Sequence, residues 1–286
     1  MTPLLFGVGA ALGWGIGDYA GALSSRRIGV LWTSLGMQIL GTALYAAGLA
    51  AVGQFPTITT AAIPWAIALA AIGSSALFVF YKALALGPIA VVSPVSASYA
   101  AVTVFFVVVF LGERLSAAQI VAISVTFVGI VLASSDLRAI VQTLGRPLPG
   151  IRLAFVATLG FGMYGAALAA ATREHDGLEL VLLARIASAA LLAAAVVATR
   201  AAVPTDRRPA TLGLLVLIGI FDTAANVSFV LGVEAGYASI VATGSGLYPV
   251  LPAFLAILFL GERLVPNQYL GIAITVAGLV ALGLSP

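Results

Sequence analysis

Charged side chains are rare along this chain, and the spaces between them mark out its elements. No Asp, Glu, Lys or Arg occurs in residues 28–81, 83–112, 115–135, 153–172 or 235–261, stretches of 54, 30, 21, 20 and 27 residues. A helix that crosses a bilayer needs about 20 mainly apolar residues. The four shorter stretches therefore hold one span each, and the longest holds two around the polar turn Gln54-Phe55-Pro56-Thr57. Barrel strands would alternate apolar and polar residues over about ten positions, and Val102–Leu111 does not alternate. The spans read as helices, which satisfy every backbone group internally where lipid offers no partner. Ten are expected, at 3–23, 30–53, 63–83, 88–110, 116–134, 151–172, 178–199, 210–231, 237–259 and 266–284. The longest connector, 135–150, falls at the midpoint.

Composition narrows the class. Apolar residues make up 62% of the chain and charged ones 8%, against about 45–50% and about 25% in soluble domains. So few charges do not cover a water-soluble surface, which excludes a soluble enzyme, and disorder requires the opposite balance. The net charge is +3, but the 13 basic residues form no patch, so no nucleic-acid partner is expected. Their distribution does carry information. With loops assigned alternately, ten Lys and Arg fall on one side (Arg26, Arg27, Lys82, Arg138, Arg146, Arg152, Arg200, Arg207, Arg208 and Arg263) and only Arg114 and Arg173 on the other. The positive-inside rule then puts the first loop in the cytoplasm and both termini outside. The N-terminus has no basic stretch ahead of its apolar run, so no cleaved signal peptide is expected.

The tetrapeptide Leu-Gly-Glu-Arg occurs twice, at 111–114 and 260–263, 149 residues apart. In the same register Gly87 aligns with Gly236, Ser96 with Ser245, Tyr99 with Tyr248 and Gly129 with Gly278, while Leu12-Gly13-Trp14-Gly15 matches Leu159-Gly160-Phe161-Gly162. Each half carries five spans, an odd number, so the halves are expected to lie in the bilayer with opposite orientation, the architecture of alternating-access carriers. Residues 85–90 (Ala-Leu-Gly-Pro-Ile-Ala), Ser93-Pro94-Val95, Leu111–Leu115, Leu260–Leu264 and Gly271 resemble the EamA type of the drug/metabolite transporter superfamily over essentially the whole chain. The resemblance implies a ten-helix carrier of small metabolites in a bacterial inner membrane, most often an exporter, and the family includes exporters of aromatic and other amino acids. One departure is Thr243 where the first half has Pro94, with Pro249 and Pro252 instead.

The fold expected is thus an all-α polytopic membrane protein of two inverted five-helix repeats, 1–135 and 151–286, joined by a cytoplasmic linker at 136–150. The repeated Gly-Glu-Arg reads first as a structural hairpin: Gly112 and Gly261 suit a left-handed helix end, the following Glu faces the next helix N-terminus, and the Arg snorkels. A gating role is the alternative.

Ionisable residues inside a membrane point to function. Asp18 and Asp222 lie in the first and eighth spans, Asn226 one turn after Asp222, and Arg185 in the seventh. Either Arg185 pairs with one of these acids to hold helices together, or a desolvated carboxylate exchanges protons, with Asp222 the leading choice. Lys82, directly after Tyr81, reads as a snorkelling anchor. Ser93-Pro94, Ser96 and Tyr99 in the fourth span correspond to Thr243-Gly244-Ser245, Tyr248 and Pro249 in the ninth; broken helices at this depth line a cavity, or their small residues serve close packing. Tyr99 and Tyr248 with Trp14 and Tyr164 predict an aromatic-walled pocket with few polar points. The candidate substrate-binding set is Trp14, Asp18, Tyr81, Ser96, Tyr99, Tyr164, Asp222, Asn226, Ser245 and Tyr248, on spans 1, 3, 4, 6, 8 and 9. Trp32 and Trp65 read as interfacial belt residues.

No cofactor is expected. The chain has no cysteine and a single histidine, His175, in the loop 172–177, and zinc needs three or four ligands. Glycines 7, 9, 13, 15 and 17 sit in an apolar helix instead of a Walker loop. The function expected is secondary transport of small metabolites by alternating access, with amino-acid export first and efflux of other amphiphilic or cationic compounds as the alternative. Partners are a small-molecule substrate, the lipid bilayer and protons as a coupling ion, in a monomer or weak dimer. A membrane-embedded enzyme needs clustered acids or histidines at one face, and a channel a polar stripe or filter loop; neither pattern occurs.

Overall fold

The computed structural model describes residues 1–53, 55–86, 92, 95–134, 137, 150–206, 208–248 and 265–285. Among these residues there are ten α-helices and no strand. They are α1 (Thr2–Ile28), α2 (Val30–Val52), α3 (Ala62–Leu86), α4 (Tyr99–Leu111), α5 (Ala117–Ser134), α6 (Ile151–Ala171), α7 (Gly177–Ala198), α8 (Pro209–Ala235), α9 (Ala238–Ser245) and α10 (Pro266–Leu284). Most ends agree with the expected spans to within one residue; α1 and α8 run four or five residues further. α1 has Pro3 in its first turn, where the missing N–H is an orphan anyway. It carries Arg26 and Arg27 in its last turn, against the negative end of the helix dipole, and stops at Gly29, φ 82°. Parts of the expected spans 88–110 and 237–259 lie outside the described residues. So do most of the linker, Gly87–Ala90, Ser93-Pro94, Pro249, Pro252 and the second Leu-Gly-Glu-Arg.

Among the described residues six helices, α2, α3, α6, α7, α8 and α10, are long and apolar enough to cross a membrane. α1 is equally long, but its glycines make it the least apolar of the long helices. The protein is therefore a multi-pass membrane protein with many large apolar residues turned outward. Leu12, Phe105, Phe110, Val121, Phe155 and Val197 are all exposed, an arrangement lipid tolerates and water does not.

Packing joins the two halves pair by pair. α1 lies along α8 and α9, α3 along α6 and α7, α4 along α6, α2 along α7 and α8, and α4 against α9. α5 packs on α10, and the two run antiparallel: Ala133 is against Gly271, Gly129 against Thr275, and Thr126 against Gly278. A Cβ on any of these three glycines would strike the facing helix, so small residues set the approach, as is usual where lipid supplies no hydrophobic drive between helices.

Carboxylates secure one end of the bundle. Gly112 ends α4 in the left-handed region at φ 70°, as the hairpin reading expects. Glu113, however, does not serve the helix that follows it. Its two oxygens accept from Ala238 N at 2.8 Å and Ser239 N at 3.2 Å, the first N–H groups of α9. α5 is capped instead by a reciprocal pair, Ser116 N to Gln119 Oε1 at 2.9 Å and Gln119 N to Ser116 Oγ at 3.2 Å. Orphan donors at a helix start take any acceptor that packing brings near, and a carboxylate there contributes about 0.5–2 kcal/mol. Glu234 accepts from Gly177 N at 2.7 Å, and the buried Glu179 accepts from Thr59 Oγ1 at 2.9 Å.

Candidate functional site

At the centre of the helices is a cavity with about 120 Å³ of water-accessible space, far more than the 10–15 Å³ that one water needs. Its walls are largely apolar and aromatic. Trp14 lies 5.6 Å from Phe229 and edge-on to Tyr99 at 6.3 Å; Tyr99 in turn lies 6.2 Å from Phe161 and 6.1 Å from Tyr248, centroid to centroid. Such tilted and edge-on separations are the favourable ones for aromatic pairs. Trp14, Tyr99, Tyr164 and Tyr248 all line the space, and so does Phe161, which aligns with Trp14 across the two halves and is an addition to the expected set. Phe229 gave no sequence signal apart from being aromatic in a span.

Polar groups enter from few directions. Asp18, Asp222 and Asn226 are on the wall, and so are Gln38, Ser74, Arg185 and Ser188. Arg185 Nη2 donates to Asp222 Oδ2 at 2.5 Å. The other oxygen of Asp222 accepts from Asn226 Nδ2 at 3.2 Å, Asn226 also donates to the Asp222 carbonyl at 2.7 Å, and Tyr164 Oη donates to Asn226 Oδ1 at 3.4 Å. The pairing alternative for Arg185 is thus the one observed, with Asp222 as partner. Asp18 has no ion pair among the described residues.

The cavity is lined from eight directions instead of six, because α2 contributes Met37 and Gln38 and α7 contributes Val181, Ala184, Arg185 and Ser188. The reason is electrostatic: a guanidinium in the seventh span must face its acid on α8, which turns that side of α7 inward. Tyr81, Ser96 and Ser245 lie behind the wall. Tyr81 is buried against Gly21 with its hydroxyl close to Asp18, short of good hydrogen-bond geometry. Ser245 Oγ and Tyr99 Oη are 2.6 Å apart, and Ser96 approaches Tyr248 in the reciprocal manner. Lys82 is exposed, as an anchor would be, and His175 sits in a turn. Among the described residues no group of acids or histidines could hold a metal ion. Trp32 donates to the Ala202 carbonyl at 2.8 Å, and Trp65 packs on the core.

A family model described as the EamA-like transporter family matches residues 1–135 and 148–284. A crystal structure of a protein with 21% sequence identity superposes with a TM-score of 0.77 over 99% of each chain, a likeness of fold. No curated protein matches the chain.

Proposed function

Since the chain belongs to the EamA-like transporter family, we propose that it is a secondary carrier that moves small organic metabolites, amino acids foremost, by alternating access in a bacterial inner membrane. The observation that carries this reading is the central cavity, whose aromatic walls and few convergent polar groups suit an amphiphilic molecule of amino-acid size. A closed helical core has no reason to keep such a space at the meeting of seven helices and the turn after α9, whereas a carrier needs one near the midplane.

Several features support two inverted repeats, divided near residues 135 and 150. The family model matches twice. Exchanging each helix for the one five places along turns α1·α8 into α6·α3, α1·α9 into α6·α4, and α3·α7 into α8·α2, all observed pairs. Gly129 faces Thr275 and Gly278 faces Thr126, a reciprocal contact between the equivalent helices α5 and α10. Equivalent helices that pack antiparallel are what inversion requires. Cysteines substituted singly at Arg114 and Arg263 in this cysteine-free chain are expected to react with an impermeant maleimide from opposite membrane faces. Labelling of both from the same face removes the inversion.

Asp18 is the residue we assign to proton coupling. It borders the cavity and has no ion pair among the described residues, whereas Asp222 is paired with Arg185. In proteoliposomes, substrate counterflow tests the carrier reading, because neither a channel nor an enzyme accelerates exchange against an unlabelled internal pool. Asp18→Asn is expected to keep counterflow at uniform pH while losing the stimulation that a pH gradient gives the native protein. Unchanged stimulation takes the role away from Asp18.

A further inference from the structure

Arg185 is only 4% exposed and lies on the cavity wall, yet its guanidinium is not saturated. Asp222 takes one Nη2 hydrogen through a single oxygen, because Asn226 holds the other oxygen. Gln38 Oε1 receives Nη1 at 3.4 Å, and Nε is buried with no partner. Ser74, on the same cavity wall from α3, has a buried hydroxyl that is also without a partner. Two buried donors without a partner, one of them charged, belong to residues that line one space. Buried donors are rarely left so, and a guanidinium edge matches the two oxygens of a carboxylate in a way an ammonium does not. The guanidinium is also held in place, since it packs on Gly41, where any side chain would strike Nη1.

From these observations we infer that the cargo carries a carboxylate, which the free edge of Arg185 and the hydroxyl of Ser74 receive while Asp222 keeps Nη2. The inference rests on the carrier reading and names its substrate class. Asp222 acts as a tether that keeps the guanidinium aimed in the empty state, which lowers the cost of ordering it when cargo binds. Amides and decarboxylated amines of the same shape leave the edge unpaired and bind more weakly.

The test is counterflow in proteoliposomes with four sets of labelled compounds: the common L-amino acids, their primary amides, the corresponding amines and neutral sugars. Exchange is expected for acids, at least about tenfold above the matching amides, the ratio for losing one charge-assisted contact. Arg185→Gln alone strands the Asp222 charge, so the informative variant is Arg185→Gln with Asp222→Asn, a neutral pair checked for folding by gel filtration. In it the acid-to-amide ratio is expected to fall to near one, with Arg185→Lys in between. Native protein that exchanges amides as well as acids, or a double variant that keeps the native ratio, overturns the carboxylate subsite. Exchange of amines or sugars without acids does the same and leaves the carrier standing. No exchange of any compound overturns the carrier reading, and the subsite with it.

Discussion

Asp222→Ala is expected to destabilise the protein by about 3–5 kcal/mol, the usual result of removing one partner of a buried ion pair. Arg185 has almost no solvent contact, and among the described residues its acidic partner is Asp222 at 2.5 Å. Truncating the aspartate leaves a full positive charge among apolar walls and also frees Asn226 Nδ2 from one acceptor. The loss should appear as a lower apparent melting temperature in detergent and a poorer folded yield. Adding Arg185→Met should recover most of it, because a neutral apolar pair of similar volume is often as stable as the salt bridge it replaces. A double variant no more stable than Asp222→Ala would mean that the pair does not hold these helices together.

Gly271→Ala should be nearly as damaging, for a steric reason. Its added Cβ would lie 2.6 Å from the carbonyl carbon of Leu132 and 2.7 Å from the Cα of Ala133. Both are backbone atoms of α5, which cannot rotate aside as a side chain can, so α5 and α10 must part along their length. Overpacking of this kind costs about 1–3 kcal/mol or more, and here it also loosens the neighbouring Gly129–Thr275 and Gly278–Thr126 contacts. Gly48→Ala is the control: nothing lies within 4 Å of its added Cβ, and Ala is the better helix former by about 1 kcal/mol. Detergent unfolding should shift down for Gly271→Ala and stay level or rise for Gly48→Ala. Equal shifts would show that the closeness of α5 and α10 contributes little.

The site was legible in its materials and less so in its connections. Asp18, Asp222 and Asn226 stood out as polar positions in apolar spans, and the repeat marked Tyr99 with Tyr248. The acid that Arg185 would choose was not readable, nor was the helix that Glu113 would cap. Gln38 and Ser74 looked like two polar residues among several. Each of these depends on which way a helix is turned about its axis, and these helices carry no stripe to reveal it. They are apolar on every side, since one side meets lipid and the other meets protein, and hydrophobicity does not tell the two apart.

Sequence alone determined that the chain lies in a membrane and, for most helices, roughly where they begin and end. Both follow from the single demand that lipid makes of a backbone, namely that every N–H and C=O be satisfied within a long apolar helix. Tertiary structure decided which polar groups meet inside: Arg185 with Asp222 across α7 and α8, Glu113 with the start of α9, and Asp18 beside the cavity with no ion pair among the described residues. Buried charges take the partners that packing brings within reach, and that packing is fixed by small-residue contacts such as Gly13 on Ala225 and Gly129 on Thr275, whose pairing no local pattern announces.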